Sequence, residues 1–322
     1  MGAKAVLAPP QPPPAPTAPP PPRPRRRRSL VHARDGRWAV VFLGPQMVGL
    51  VAFVLGPMVF ALYLSLTEWG GSGPITFVGL DNFRDMFRDH AFWSSMQNTV
   101  WLTVLVVPGQ LVSGLLVALA LHQTRLKTLF RVIYFMPVVT SSVAVSTIWI
   151  WLLNGTFGPV NGILREWFGL NPPDWMGEPR YLVISIALVT VWQGLGFFMV
   201  VFLAGLQGIP TAYLEAAEVD GASSFRRFWH VTLPLLSPTL FFLTVMSLIG
   251  AFQIFDTVYM MTPQNSYLGD STRTVVFRIY DLAFARYQFG ASAANAVVLF
   301  VVLLVLTAGQ MLLQRRWVHY EE

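Results

Sequence analysis

At 322 residues the chain could hold two average soluble domains, but 54% of it is hydrophobic, only 12% is charged and the mean hydropathy is +0.54. Soluble proteins carry about a quarter of their residues charged, so this composition excludes a soluble globule and points to an integral membrane protein. The net charge is +6, from 22 Lys and Arg against 16 Asp and Glu, and the absence of cysteine excludes disulfide frameworks, thiolate nucleophiles and Cys-ligated zinc.

Residues 1–28 are mostly Pro, Ala and Arg, with 11 of the 24 prolines before residue 25. So few apolar side chains cannot offset ordering entropy, and a disordered, partly polyproline-II cytoplasmic tail is expected over 1–37. Its run Arg25-Arg26-Arg27-Arg28 is a positive-inside anchor at lipid headgroups, the alternative being nucleic-acid attraction; no nucleic-acid partner is expected. The charge-free stretch that follows, 38–67, is too long for a signal-peptide core and predicts a retained first span.

A helix crossing about 30 Å of hydrocarbon needs about 20 apolar residues. Six windows qualify, predicting spans near 39–64, 97–121, 131–153, 181–206, 236–261 and 293–313 in a 38–322 all-α, six-transmembrane-helix domain. With the N-terminus inside, fifteen Lys and Arg lie on the inner side against seven outside, so both termini are predicted cytoplasmic in a multi-pass plasma-membrane protein. Trp38, Trp69, Trp93, Trp101, Trp149 and Trp151 mark span ends as an aromatic belt, and Gln110, Ser113 and Gly114 suit close helix packing.

Several chemistries lack their residues. No Gly-Lys pair exists for a phosphate-binding loop, no His-Glu-x-x-His for zinc, and no span holds paired carboxylates or a Lys/Arg relay. No catalytic residue, metal or cofactor is therefore expected in this chain, and any ATP use falls to a partner.

The loop at 207–235 carries the most information. Pro210-Thr211 can start a short helix, Ala216 and Ala217 give it a small face, Glu215 and Glu218 lie three apart, and Gly221 can take the positive φ that ends it. Phe225-Arg226-Arg227-Phe228 follows, then Pro234 and Pro238 at the next span. On composition alone this is either an amphipathic connector or a docking element.

The pattern Glu215-Ala216-Ala217, Asp220-Gly221-Ala222, an aromatic at Phe225 or Phe228, then Leu233-Pro234 and Pro238 resembles the EAA loop of permease subunits in binding-protein-dependent ABC importers. The segment 77–83 after span one, Phe255-Asp256 near the end of span five and the closing 316–320 are similar to the carbohydrate-uptake branch, the permeases for maltose, other oligosaccharides and glycerol-3-phosphate. The resemblance covers 38–322, lacking the maltose permease's long outer insertion and two extra N-terminal spans. It implies a type I importer fold in a bacterial or archaeal plasma membrane and a second, distinct permease. It further implies two ATPase subunits that use ATP and magnesium and an external substrate-binding protein. It makes Glu215, Ala216, Ala217, Asp220 and Gly221 coupling residues that seat in the ATPase.

A sugar path needs hydroxyl-matching side chains and aromatic faces, because an unpaired hydroxyl in a dry site costs a few kcal/mol. Thr190, Gln193, Gly194 and Phe197 in span four, beside Trp192, and Gln253, Asp256, Thr257 and Met260 in span five, beside Tyr259, are expected on shared faces. Both segments align with sugar-lining stretches of the maltose permease, although its asparagine-rich stretch is replaced by 251–256 here. Asp256 is the only acidic residue inside a predicted span and is either a path residue or an interfacial group; Gln193 and Gln253 are path residues or interhelical glue. The rival functions are an ATP-independent channel or facilitator, a polytopic enzyme, and an ABC permease for peptides or amino acids.

Overall fold

The computed structural model describes residues 31–122, 124, 126–263 and 267–317; the tail expected to be disordered lies outside these up to residue 30. The chain divides into two compact units, 1–56 and 57–322. In the first, α1 (Val31–Leu50) is followed by a π-helical turn, Val51–Leu55. Helix thus begins before the expected tail boundary at 37 and runs through Gly36 into the first span; a span's helix is free to project past the headgroups.

The boundary falls at the start of α2 (Gly56–Leu64), and the second unit continues with a hairpin of two-residue strands, β1 (Thr67–Glu68) antiparallel to β2 (Thr76–Phe77), with Thr67 opposite Phe77. Then come α3 (Asp81–Arg88), α4 (His90–His122), α5 (Lys127–Val139), α6 (Ser142–Leu152), α7 (Pro159–Phe168) and α8 (Pro179–Gln207). After α9 (Thr211–Val219) and α10 (Ser224–Arg227), a π-helical turn leads into α11 (Leu233–Leu235) and α12 (Ser237–Phe252). The chain closes with α13 (Asp256–Met261), α14 (Tyr267–Thr272), α15 (Val275–Tyr280) and α16 (Phe289–Trp317). By length and composition, four stretches can cross a membrane: Val41–Leu64, α4, α8 and Phe289–Gln314. Two bent pairs, α5 with α6 at 97° and Ser224–Leu235 with α12 at 67°, bring the number to six if each pair is one span.

The centre of this unit is the packing of α4 on α8, its most extensive helix pairing. The helices run parallel: Leu102 and Val106 of α4 share a core with Leu182 and Ile186 of α8, while Ala118 and Leu121 share another with Phe202, Leu203 and Leu206. Between these layers Gln110, only 8% exposed, reaches across to α12, where Ser247 Oγ donates to its Oε1 at 2.6 Å. Of Gln110, Ser113 and Gly114, expected to suit close helix packing, Gln110 makes this interhelical bond, Gly114 lets α8 approach so closely that a Cβ there would stand 2.5 Å from the Phe198 Cβ, and Ser113 donates back to Gly109 O.

Two predicted spans differ from single helices. The one expected over 131–153 breaks at Thr140 and Ser141, whose ψ angles of 142° and 129° are extended. Pro137 has no N–H for the helix ladder, and the Thr140 hydroxyl donates to the Met136 carbonyl at 3.0 Å, competing locally with helical bonding. The span expected over 236–261 ends at Phe252 and resumes at Asp256, and Thr274 Oγ1 donates to the Ile254 carbonyl in the gap at 3.1 Å. Such gaps at membrane depth are tolerated where side chains satisfy the freed backbone groups.

An interhelical hydrogen bond of this kind contributes about 0.6–2 kcal/mol in a membrane. Gln110→Leu and Ser247→Ala should each lower the unfolding midpoint of the detergent-solubilised protein by a few degrees, and the double variant should lower it no further than the worse single one.

Candidate functional site

Two regions of the second unit gather chemistry at opposite ends of the α4–α8 pair. Because the two helices are parallel, the α3–α4 junction and the loops around α15 and α16 lie at their N-terminal end. The segment from α9 to α11 leaves from the C-terminus of α8, at the other end.

At that other end the chain builds a small double-helix knob. Pro210 enters α9 in extended conformation with ψ 130°, and Leu214 packs on the core formed by Phe202, Leu206, Ile209 and Leu236. The end of α9 is a Schellman closure: Ala222 N–H donates to Ala217 O and Gly221 N–H to Glu218 O, both at 3.0 Å, with Gly221 at φ +75°. Ser223 then accepts from the Arg226 N–H and starts α10, while Arg227 pairs with Glu218 at 3.0 Å. Glu215, Ala216, Asp220 and Gly221 are exposed and Ala217 is half-buried. At the tip stand Val219 and Phe225, 88% and 75% exposed, with Trp229 packed edge-on against Phe225. A rigid, capped turn with an apolar tip ringed by charge has the character of a docking surface. The sequence reading missed Val219, whose side chain stands out at the tip of the helix end that Gly221 closes.

The span-four residues are turned inward. Gln193 Nε2 donates to the Thr140 carbonyl at 3.2 Å and to Ser142 Oγ at 3.1 Å, holding the break between α5 and α6. Thr190 donates back to Ile186 O at 2.8 Å, Phe197 packs edge-on against Phe198, and a Cβ at Gly194 would stand 2.6 Å from Gln110 Nε2. Of the span-five residues, Gln253 and Asp256 are exposed and Tyr259 and Met260 half-buried, but Thr257 is 5% exposed. The expected shared face is therefore corrected: in so short a helix Asp256 and Tyr259 lie on one side, and Thr257 on the other with Val258 and Met261, in the core against α6 and α8. The two sets do not form one constellation, since Gln193 faces the α5–α6 break and Asp256 the open side of α13.

At the N-terminal end lies a cavity of about 560 Å³ lined by Glu68, Trp69, Asp81, Asp85, Asp89 and Arg278, among others. The segment 77–83 builds one wall: Asn82 Nδ2 donates to the carbonyls of Ser65 and Thr67 at 3.0 and 2.8 Å, tying α3 to the hairpin. Arg278 pairs with Asp89 at 2.5 Å and donates to the buried Asn295 Oδ1 at 3.2 Å, while Arg286 pairs with Asp281 at 2.8 Å. Burial opposes ionisation of Asp89, but the Ala91 N–H and the Arg278 guanidinium outweigh it and hold the carboxyl below its ordinary range. Among the described residues no group of His, Cys, Asp and Glu could hold a metal ion.

Interrupted apolar spans with their backbone satisfied by neighbours, an exposed apolar-tipped knob at one end and a polar cavity at the other have the character of a multi-pass membrane protein. The chain belongs to the family described as binding-protein-dependent transport system inner membrane component, whose model matches residues 110–319. It is 34% identical over 278 residues to the sulfoquinovosyl glycerol transport system permease protein SmoG of Agrobacterium fabrum, covering 85% of this chain and 89% of that one. It is likewise 34% identical over 290 residues to the diacetylchitobiose uptake system permease protein NgcF of Streptomyces coelicolor, covering 86% of this chain and 82% of that one. Among solved structures it shares its fold with a chain of the crystal structure of a bacterial alginate ABC transporter in complex with alginate pentasaccharide-bound periplasmic protein. There the TM-score is 0.78 at 23% identity, over 89% of this chain and 97% of that one. The type I importer fold and permease class implied by the EAA resemblance are thereby established, and the family is one of transport permeases rather than catalytic subunits.

The Asp89–Arg278 pair gives a pH test. Asp89 has a folded pKa below its unfolded value, so it stabilises the fold above the ordinary aspartate value of about 3.9 and that contribution is lost as pH falls through the depressed value. Arg278→Gln removes the partner and leaves the burial. The acid-unfolding midpoint, followed by tryptophan fluorescence, should move to higher pH.

Proposed function

We propose that this chain is one of two permease subunits of an ATP-driven importer, which forms half of the path for a carbohydrate or polyol derivative delivered by an external binding protein. The observation that carries the coupling half of this reading is the α9–α10 knob: Schellman-closed, capped, and exposing Val219 and Phe225 with no partner from the bundle beneath it. The knob is the docking element for a separate ATPase subunit, which binds ATP and magnesium. Glu215, Asp220 and the small faces of Ala216 and Ala217 meet that partner, and Gly221 sets the bend between the two helices. This end and both termini lie on the cytoplasmic side of a prokaryotic plasma membrane in this reading, and the polar cavity outside, an orientation supported by the distribution of Lys and Arg. The carbohydrate assignment is supported by the names of relatives that carry glycosides and chitobiose derivatives. Thr190, Gln193, Gly194 and Phe197 border the path from the α8 side, and Gln253, Asp256 and Tyr259 from the open side of α13.

Two measurements test this. The tagged chain, extracted gently from its native membrane, should bring down an ATPase and a second permease; recovery of the chain alone, without ATP hydrolysis, would favour a self-sufficient facilitator. Gly221→Asp puts a side chain on a left-handed residue and a second carboxylate beside Asp220, so it should abolish uptake and ATPase recovery while membrane levels stay normal.

A further inference from the structure

Beyond the residues already assigned, the second unit carries an unbroken file of aromatic rings. Trp69, at the edge of the polar cavity, lies 5.2 Å from Phe289 by ring centroid; Phe289 is 6.3 Å from Phe284, and Phe284 is 5.0 Å from Tyr280. Tyr280 then meets both Tyr259 and Phe255, at 5.3 and 5.1 Å, at the gap in span five. Phe284 is 61% exposed and the other five rings are half-buried, so every ring keeps an open side. Phe277, 2% exposed, backs the file from the core and carries Arg273 over its ring.

Rings that merely faced lipid would be flanked by apolar residues. Here the same surface carries the exposed Asp256 and Gln253 at one end, and the exposed Arg286 with its partner Asp281 beside Tyr280. A carboxylate and an amide on a lipid-facing surface are costly, so this surface faces water or a polar occupant. A ladder of open rings interleaved with hydrogen-bonding groups matches one ligand chemistry in particular. The C–H face of a pyranose stacks on an aromatic ring while its equatorial hydroxyls meet the polar groups at the rim. Steps of 5.0–6.3 Å let a sugar reach the next ring before it leaves the last.

We propose that Trp69, Phe289, Phe284, Tyr280, Tyr259 and Phe255 form a stacking track that passes the pyranose rings of the cargo from the polar cavity to the gap in span five. The track rests on the carbohydrate assignment made above. It gives Trp69, which the sequence presents as a belt residue, a place at the outer end of the path, and it ends where span five is interrupted beside Tyr259.

The test separates the two assignments. A strain lacking this chain is screened on an array of saccharides, polyols, amino acids and peptides. Growth lost only on amino acids or peptides, or on nothing, overturns the carbohydrate assignment and the track with it. Where a saccharide is lost, that saccharide, radiolabelled, is the probe for uptake in the strain complemented with variants of the full chain. Tyr280→Leu and Phe284→Leu should raise the KM by about five- to tenfold at normal membrane levels, and Tyr280→Phe, which keeps the ring, should restore it. Unchanged KM in both leucine variants overturns the track and leaves the carbohydrate assignment standing. Because the chain has no cysteine, Phe284→Cys also gives a single label site that does not depend on transport rate. A membrane-impermeant maleimide added from outside should react with it, and the saccharide should slow the reaction. No reaction, or reaction that the saccharide leaves unchanged, places the ring against lipid or the second permease and overturns the track.

Discussion

A backbone that leaves the helix inside a membrane must find its hydrogen bonds within the protein, and this constraint shapes the second unit more than any other. Each unpaired carbonyl or N–H in hydrocarbon costs several kcal/mol. Two of the spans are nevertheless broken, and at both breaks a side chain from a distant segment supplies a donor. Gln193 serves the Thr140 carbonyl, and Thr274 serves the carbonyl of Ile254. These bonds fix the angle between α5 and α6 and the offset between α12 and α13, and with them the side on which Asp256 and Tyr259 open.

The same constraint explains what was legible in the sequence. Charge-free windows of sufficient length report where the chain enters and leaves the membrane, because hydrocarbon tests every residue alike; hence α4 and α8 stand where apolar length places them. The interruptions are invisible to such a count. Thr140, Ser141 and the segment 253–255 are no more polar than ordinary helix residues in a span, and the side chains that satisfy the carbonyls freed there, Gln193 and Thr274, lie 53 and 20 residues away. Thr257 was misplaced for the same reason: with the span read as one continuous helix its face could not be told, whereas the restart at Asp256 turns it into the core.

The knob was more legible because its determinants are local. Pro210, Ala216, Ala217 and Gly221 act within a few residues of themselves, so capping rules applied to the sequence anticipate the helix, its end and the left-handed glycine. What escaped is tertiary: the Glu218–Arg227 pair, which removes one of the two carboxylates read as a matched set, and the protrusion of Val219. The aromatic file escaped for the opposite reason. Its rings come from the hairpin, the gap before α13, α13 itself, α15, the stretch 281–285 after it and α16, and no window along the chain contains them.

The parallel pairing of α4 and α8 has a mechanical meaning. At 1.5 Å per residue the 33 residues of α4 make a rod of about 50 Å, and α8 lies along it with Gln110 seated directly over Gly194. Two rods in such contact turn as one body. A tilt of about one degree at the end bearing the knob therefore displaces the far end, where the polar cavity opens, by roughly 1 Å. The pair is a stiff lever, so a small motion at one end needs no soft intermediary to reach the other.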